Sequence, residues 1–267
     1  MEWKYLEIAI HPKYLTHLKK LSDQGSGFID PSTPAFLDML TPSRFMAQGT
    51  FLCLKNVLDK NYPAAMNVAG GFHHATPTQS MGGCVINDMG IAIQKLRMIG
   101  YAEKIAILDF DYHPHNGTVA YFGDDPSILK ASVHESGWFD YDDNEIGWGK
   151  GINSVINRGL SKSISGQEYL QIVEELLRIV RKFQPDLVVM LNGVDPHIDD
   201  PVVKRYISRV LALTDTDFQR LTEMVCDFVV KNCDNNIVIL GAGGYSAEIT
   251  SRIWFQTLNI AIEKILR

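Results

Sequence analysis

Short apolar runs and helical stripes alternate along this chain. Five continuous apolar runs lie around Ala64–Ala69, Lys104–Phe110, Ile128–Val133, Leu187–Leu191 and Asn236–Leu240. Runs of this length, apolar at successive rather than alternate positions, predict strands covered on both faces and hence a parallel sheet. Between them the period becomes that of a helix. SGQEYLQIVEELLRIVRKF sets Tyr169, Ile172, Val173, Leu176, Leu177 and Val180 on one stripe, and Ser165 with Glu168 makes a capping box at its start. DFQRLTEMVCDFVVKN repeats the stripe with Phe218, Leu221, Val225, Phe228 and Val229, and NDMGIAIQKLRMIG does so up to a stop at Gly100. The predicted fold is α/β, a single domain over residues 1–267 with a mainly parallel sheet flanked by helices.

The residues after each predicted strand change the picture. In order the runs end in GGFHH, DFDYHPH, SVHES, NGVDPHIDD and GAGGY, so that six of the eight histidines follow a strand directly. Ligands of an open parallel sheet bind beyond the carboxyl ends of its strands. Five loops carrying His, Asp and Tyr are therefore expected on one rim.

Bulk properties narrow the partners. The net charge is −6 and no Lys/Arg block occurs, which argues against nucleic acid or an anionic membrane as the main partner. No run reaches the length of a membrane span, and MEWKYLEIAIHPK lacks a signal peptide's pattern, so a cytoplasmic location is expected. Cys53, Cys84, Cys226 and Cys233 have no CxxC spacing and read as reduced thiols.

The rim can hold a metal. In extended chain Asp111 and His113 point to the same side. Alone, the pair reads as a helix cap and a buried histidine; with Asp195 from the fourth loop it becomes one imidazole and two carboxylates with an open fourth position, a credible catalytic zinc site. Two carboxylates neutralise the dication, so its water is acidified less and a protein base becomes useful. His73 and His74 supply one. Each imidazole needs a partner on its far nitrogen, for which Asp109 and Asn116 are candidates. Tyr245, after the glycines of GAGGYS, could donate to the oxyanion of a tetrahedral intermediate. Metal, water, base and oxyanion donor together equip a site to hydrolyse an amide or ester.

GGFHHA, DFDYHPHNGT, GVDPHIDDP and LGAGGYS, in this order, resemble the histone deacetylase family, including its bacterial deacetylase and acetylpolyamine amidohydrolase relatives. The resemblance spans nearly the whole chain and implies the arginase-like α/β fold, whose sheet is usually eight-stranded. It implies that Asp111, His113 and Asp195 hold one Zn²⁺. It makes His74 the general base and acid, His73 its electrostatic helper, Asn116 the residue orienting His74, and Tyr245 the group polarising the acyl carbonyl. Asp109 would buttress His73 and share a monovalent-cation site, for K⁺, with Ser132; Asn116 in place of Asp is typical of the class II branch. Asp30, Gly82, Gly83 and Phe139 fall at substrate-binding positions, and the implied substrate is an N-acylated amine: an acyl-lysine, an acylpolyamine or a related small molecule.

The chain also departs from the family pattern. Its first strand and helix look absent, and self-association would cover the apolar surface this leaves. Pro114 and His115 replace the usual second His and Gly of the second motif. Gly83 stands where an aromatic ring usually lines the tunnel, which leaves Phe139 as its only wall and widens the slot. After DDP, VVKRYISRVLALT is longer than usual. Two other readings compete. DPHID, with Asp195, His197 and Asp199, fits an arginase-type binuclear hydrolase, which leaves His73, His74 and Tyr245 without a role. A non-catalytic acyl-ligand-binding module would keep the pocket without turnover.

Overall fold

The computed structural model describes residues 1–205 and 210–266. In chain order the elements are α1 (Trp3–Ala9), α2 (Pro12–Gln24), β1 (Phe28–Asp30), β2 (Thr33–Pro34), α3 (Leu40–Leu58), β3 (Ala64–Asn67), α4 (Asp88–Met98), β4 (Ile105–Asp109), α5 (Asn116–Phe122), β5 (Ile128–Glu135), β6 (Val155–Leu160), α6 (Gly166–Phe183), β7 (Leu187–Leu191), α7 (Pro201–Arg205), α8 (Asp215–Asn232), β8 (Ile237–Leu240) and α9 (Ala247–Ile265). Six strands form one all-parallel sheet in the order β3-β8-β7-β4-β5-β6, and β1 and β2 form a small antiparallel hairpin.

The alternation of side chains across the pleat explains the continuous apolar runs. Ala106 and Leu108 of β4, Val188 and Met190 of β7, and Ile237 and Ile239 of β8 pack in one core with α6, α8 and α9. Their neighbours Ile105, Ile107, Val189, Val238 and Leu240 enter the opposite core, under α1 to α4. Both faces are covered, so every position of β4, β7 and β8 is buried. The capping box of Ser165 and Glu168 forms at the start of α6, and a second, Thr214 with Asp217, opens α8.

The five predicted strands all occur, with two differences. A sixth, β6, extends the sheet beyond β5; its Asn157, Arg158 and Gly159 break the apolar run that would have marked it. β5 also runs on to Glu135, which places His134 inside a strand. The rim segment after Asp200 includes residues 206–209, which lie outside the described residues. No helix among the described residues is long and apolar enough to cross a membrane.

Candidate functional site

The loops after β3, β4 and β8 converge at the carboxyl end of the sheet on a cavity of about 340 Å³, lined by Phe72, His73, His74, Gly82, Asp111 and Tyr245 among others. Asp111 and His113 follow β4, and Asp195 follows the neighbouring β7. One ligand atom from each of these three buried side chains lies within 4.8 Å of the other two. His113 Nδ1 is 3.2 Å from Asp111 Oδ1 and 3.1 Å from Asp195 Oδ2. Asp195 Oδ1 accepts the Tyr112 amide at 3.1 Å, while buried Asp195 Oδ2 has no well-aligned donor among the described residues beyond its approach to His113 Nδ1. Asp111 Oδ2 accepts the Gly243 amide at 2.7 Å. A Cβ on Gly243 would lie 2.6 Å from Asp195 Oδ2, so no larger residue lets the loop after β8 approach both carboxylates.

The electrostatics call for a cation. Burial, then the charge of Asp111, pushes the Asp195 carboxyl up; burial opposes ionisation of Asp111 too, but the surrounding imidazoles hold it down. Burial works to lower His113, and the two carboxylates outweigh it and raise the imidazole to about 10. Two buried carboxylates, one with an unsatisfied oxygen, fit a divalent ion with His113 as a neutral ligand.

The adjacent imidazoles are held in opposite ways. His73 Nδ1–H donates to Asp109 Oδ2 at 2.6 Å, and His73 Nε2 lies 3.6 Å from Asp111 Oδ1. Burial disfavours its cation, but the charges of Asp109 and Asp111 raise it to about 9. His74 Nδ1–H donates to Asn116 Oδ1 at 2.7 Å, and the Asn116 Nδ2 faces the Met81 sulfur at 2.9 Å. Burial, and then the neighbouring His73, hold His74 well below the usual imidazole range. This favours the neutral ring, and donation from Nδ1 to Asn116 would leave the lone pair on Nε2. His73, His74 and Asp111 also bring three possible ligand atoms together. Both Nδ1 atoms are committed to other partners, so only the Nε2 atoms could bind there.

Asp109 and Ser132 are register partners across β4 and β5. Ser132 Oγ lies 2.8 Å from His134 Nδ1, and Asp109 Oδ1 accepts the Asp111 amide. Tyr245 lines the cavity mouth and its side is 58% exposed. Although the residue as a whole is more exposed than buried, desolvation of the phenol and then the charges of Asp111 and Asp195 push it above the ordinary range, which keeps it a protonated donor.

The substrate-binding positions divide. The Phe139 ring lies 4.5 Å from His74, and Gly82 and Gly83 line the cavity. Among the described residues nothing stands within contact of a Cβ placed on Gly83, so the slot is open there. Asp30 is not brought to the cavity lining: its carboxylate accepts from Ser32 Oγ at 2.6 Å and from Ser80 Oγ, and so ties the hairpin to the Gly82 loop. Three neighbours went unread in the sequence. Trp138 sets its ring 4.7 Å from His113, beside Phe139 in the same ESGWFDY segment, and Phe72 and Cys84 line the cavity. All four cysteines are free thiols. The binuclear pattern is not assembled: buried His197 bonds Asp215 at 2.8 Å, and exposed Asp199 pairs with Lys204 at 3.0 Å.

A six-stranded parallel sheet flanked by helices on both faces is consistent with the arginase and deacetylase fold. The chain belongs to the histone deacetylase domain family, which it matches over residues 4–261. It is 28% identical over 248 residues to a probable deacetylase of Archaeoglobus fulgidus, covering 90% of this chain and 66% of that one. It is 29% identical over 245 residues to a histone deacetylase-like amidohydrolase of Pseudomonas aeruginosa, covering 90% and 63%. An acetoin utilization protein of Bacillus subtilis is 25% identical over 238 residues, covering 85% and 60%. The chain thus spans 60–66% of the length of these three relatives.

Proposed function

We propose that this chain hydrolyses the amide bond of an N-acylated amine, with Zn²⁺ held by Asp111, His113 and Asp195. The observation that carries this reading is the set of three mutually close, buried ligand side chains, of which Asp111 lines one cavity together with His74. When bound, Zn²⁺ would supply Lewis acidity toward the acyl carbonyl and water. The protein's own groups do the rest. His74 Nε2 takes a proton from the attacking water as oxygen bonds to the acyl carbon. Asn116 fixes the tautomer that leaves this lone pair free. Tyr245 O–H donates to the oxygen that gains negative charge. As the carbon–nitrogen bond breaks, His74 returns the proton to the departing nitrogen, and a carboxylic acid and an amine leave, the acid's proton then passing to the amine in solution. His73, held as a cation by Asp109, supplies positive potential beside the reacting groups.

Acyl-lysines, acylpolyamines and related small amides are the proposed substrates; the open lip at Gly83 suits an acyl group or amine broader than a narrow tunnel admits. K⁺ is assigned to Asp109 and Ser132, and potassium dependence of activity tests that assignment. The primary experiment is a panel of acetyl-lysine peptides, longer acyl-lysines and acetylpolyamines on zinc-loaded protein, with amine release as the readout. Chelation should abolish turnover and added Zn²⁺ restore it. Turnover indifferent to chelation would overturn the metal assignment. A protein that binds a hydroxamate but turns over no acylated amine would be a binding module instead.

A further inference from the structure

We propose that Asp200 is the positioning residue for Tyr245, an inference that rests on Tyr245 acting as the oxyanion donor. Asp200 is fully buried, and among the described residues no cation pairs with it; there its carboxylate accepts from two main-chain amides. Oδ1 accepts from Val202 N–H at 2.8 Å and Oδ2 from Tyr245 N–H at 2.8 Å. Upstream, the loop after β8 is fixed by its backbone: Gly241 N–H to Asn67 O at 3.2 Å, Ala242 N–H to Gly70 O at 3.0 Å, and Gly243 N–H to Asp111 Oδ2 at 2.7 Å. Downstream, Ser246 caps α9. Tyr245 stands between these anchors with its ring at the open mouth, and Asp200 holds its backbone there.

The same loop carries Asp195. Val194 N–H donates to Gly243 O at 2.7 Å, and His197, locked to Asp215, fixes the segment between. Six consecutive residues, 195 to 200, therefore connect a candidate metal ligand to the anchor of the phenol. A fixed separation between ion and hydroxyl is what oxyanion stabilisation requires, because misplacement by about 1 Å can cost on the order of 10²-fold in rate.

A double-mutant cycle on the zinc-loaded enzyme tests this. Asp200→Asn replaces one acceptor oxygen by a donor. In the wild-type background it should lower kcat by roughly 10-fold or more with KM within about 2-fold and zinc content unchanged. In the Tyr245→Phe background, where no hydroxyl is left to misplace, the same change should cost less than about 3-fold. Equal losses in both backgrounds would overturn the proposal. Val202→Pro removes the second amide bond, together with the packing of the Val202 side chain on the core, and should leave kcat within about 2-fold, since proline is tolerated in a first helical turn; a loss as large as that of Asp200→Asn, against a Val202→Ala control that keeps the amide, would show Asp200 acting through α7 and also overturn it. Should Asp200→Asn not fold, Asp200→Glu, which keeps both oxygens but moves them, takes its place in the cycle. If wild-type protein hydrolyses nothing in the panel, the enzymatic reading itself fails. Hydrogen exchange then decides the anchor: protection of the Tyr245 amide lost in Asp200→Asn supports it, and protection unchanged overturns it.

Discussion

The Nδ1 of His74 meets an amide oxygen, that of Asn116, at 2.7 Å, whereas the Nδ1 of the adjacent His73 meets the Asp109 carboxylate at 2.6 Å. Two imidazoles with touching rings, 4.0 Å between centroids, are thereby given different charges. The amide orients His74 and favours its cation only weakly, less than burial and His73 oppose it; the carboxylate both orients His73 and favours its cation strongly. Asn116→Asp should erase the difference. A carboxylate at this distance raises an imidazole pKa by roughly 1–3 units. The base works only when neutral, so the acidic limb of kcat/KM should move to higher pH by at least about one unit, and activity below the limb should fall. A pH–rate profile checks this. An unmoved limb would mean that His74 is not the group titrating in the reaction.

Tyr245→Phe should lower kcat by roughly 10²–10³ through loss of one oxyanion donor. Tyr245 makes no contribution to the Asp-His-Asp cluster, so zinc content should stay that of wild type. Steady-state kinetics with metal analysis on the same sample separates the two effects. Full activity in the variant would assign the donor elsewhere.

Gly82 lies at φ +59°, and a Cβ there would stand 2.5 Å from His74 Cδ2 and 3.0 Å from the Phe139 ring. Gly82→Ala therefore pushes against the imidazole held by Asn116. We expect kcat to fall by about 10-fold or more, since small displacements of a catalytic group are costly. Metal content should not change. A crystal structure or the pH profile of the variant would show whether His74 has moved; unaltered kinetics would mean the loop yields instead.

Much of this site was legible because its parts sit at fixed places in the fold. A strand buried on both faces is an unbroken apolar run, and β4, β7 and β8 are of that kind. Polar residues directly after such a run lie on the ligand-binding rim, which brought Asp111, His113, Asp195 and Tyr245 together on paper. The missed elements carry no such mark. β6 lies at a sheet edge with half-buried polar positions, and Asp200 sits in a run of acidic residues where Asp199 is exposed and its neighbour is not. Asp30 read as a rim residue by its place in the family pattern; its hairpin meets the Gly82 and Gly83 amides through Ser32 and Thr33, and the structure shows its carboxylate engaged by Ser32 and Ser80.

Asp195→Ala should abolish stable metal binding. The substitution leaves one carboxylate and one imidazole where three ligands met, and it strips the Tyr112 amide of its acceptor. Metal analysis after dialysis should fall from about one ion per chain to a small fraction of that. Asp199→Ala, on the exposed side of the same loop, should keep full occupancy. A fully loaded Asp195→Ala protein would mean that the ion sits at His73, His74 and Asp111 instead.

Lys130 offers a test of the fold's electrostatics away from the cavity. Its ammonium is buried in β5, where it donates to Phe122 O at 2.5 Å, Ser154 Oγ at 2.6 Å and Asp125 O at 3.3 Å. Burial lowers it from 10.5 to about 8, only partly offset by the charges of Asp125 and Asp124. As pH falls from 10.5 to 8 the unfolded chain takes up a proton that the folded chain does not, so this group's contribution to stability declines over that window and levels off below it. Raising the pH restores it. Lys130→Met lacks the titration and also leaves its oxygen acceptors unmet, so it should be less stable, with a gap that widens as pH rises. Between pH 7 and 9.5 the difference in unfolding free energy should grow by about 1–2 kcal/mol in favour of wild type. Urea unfolding of both proteins across that range measures the gap. A constant difference would show that the carbonyl cradle compensates the ammonium for its lost water.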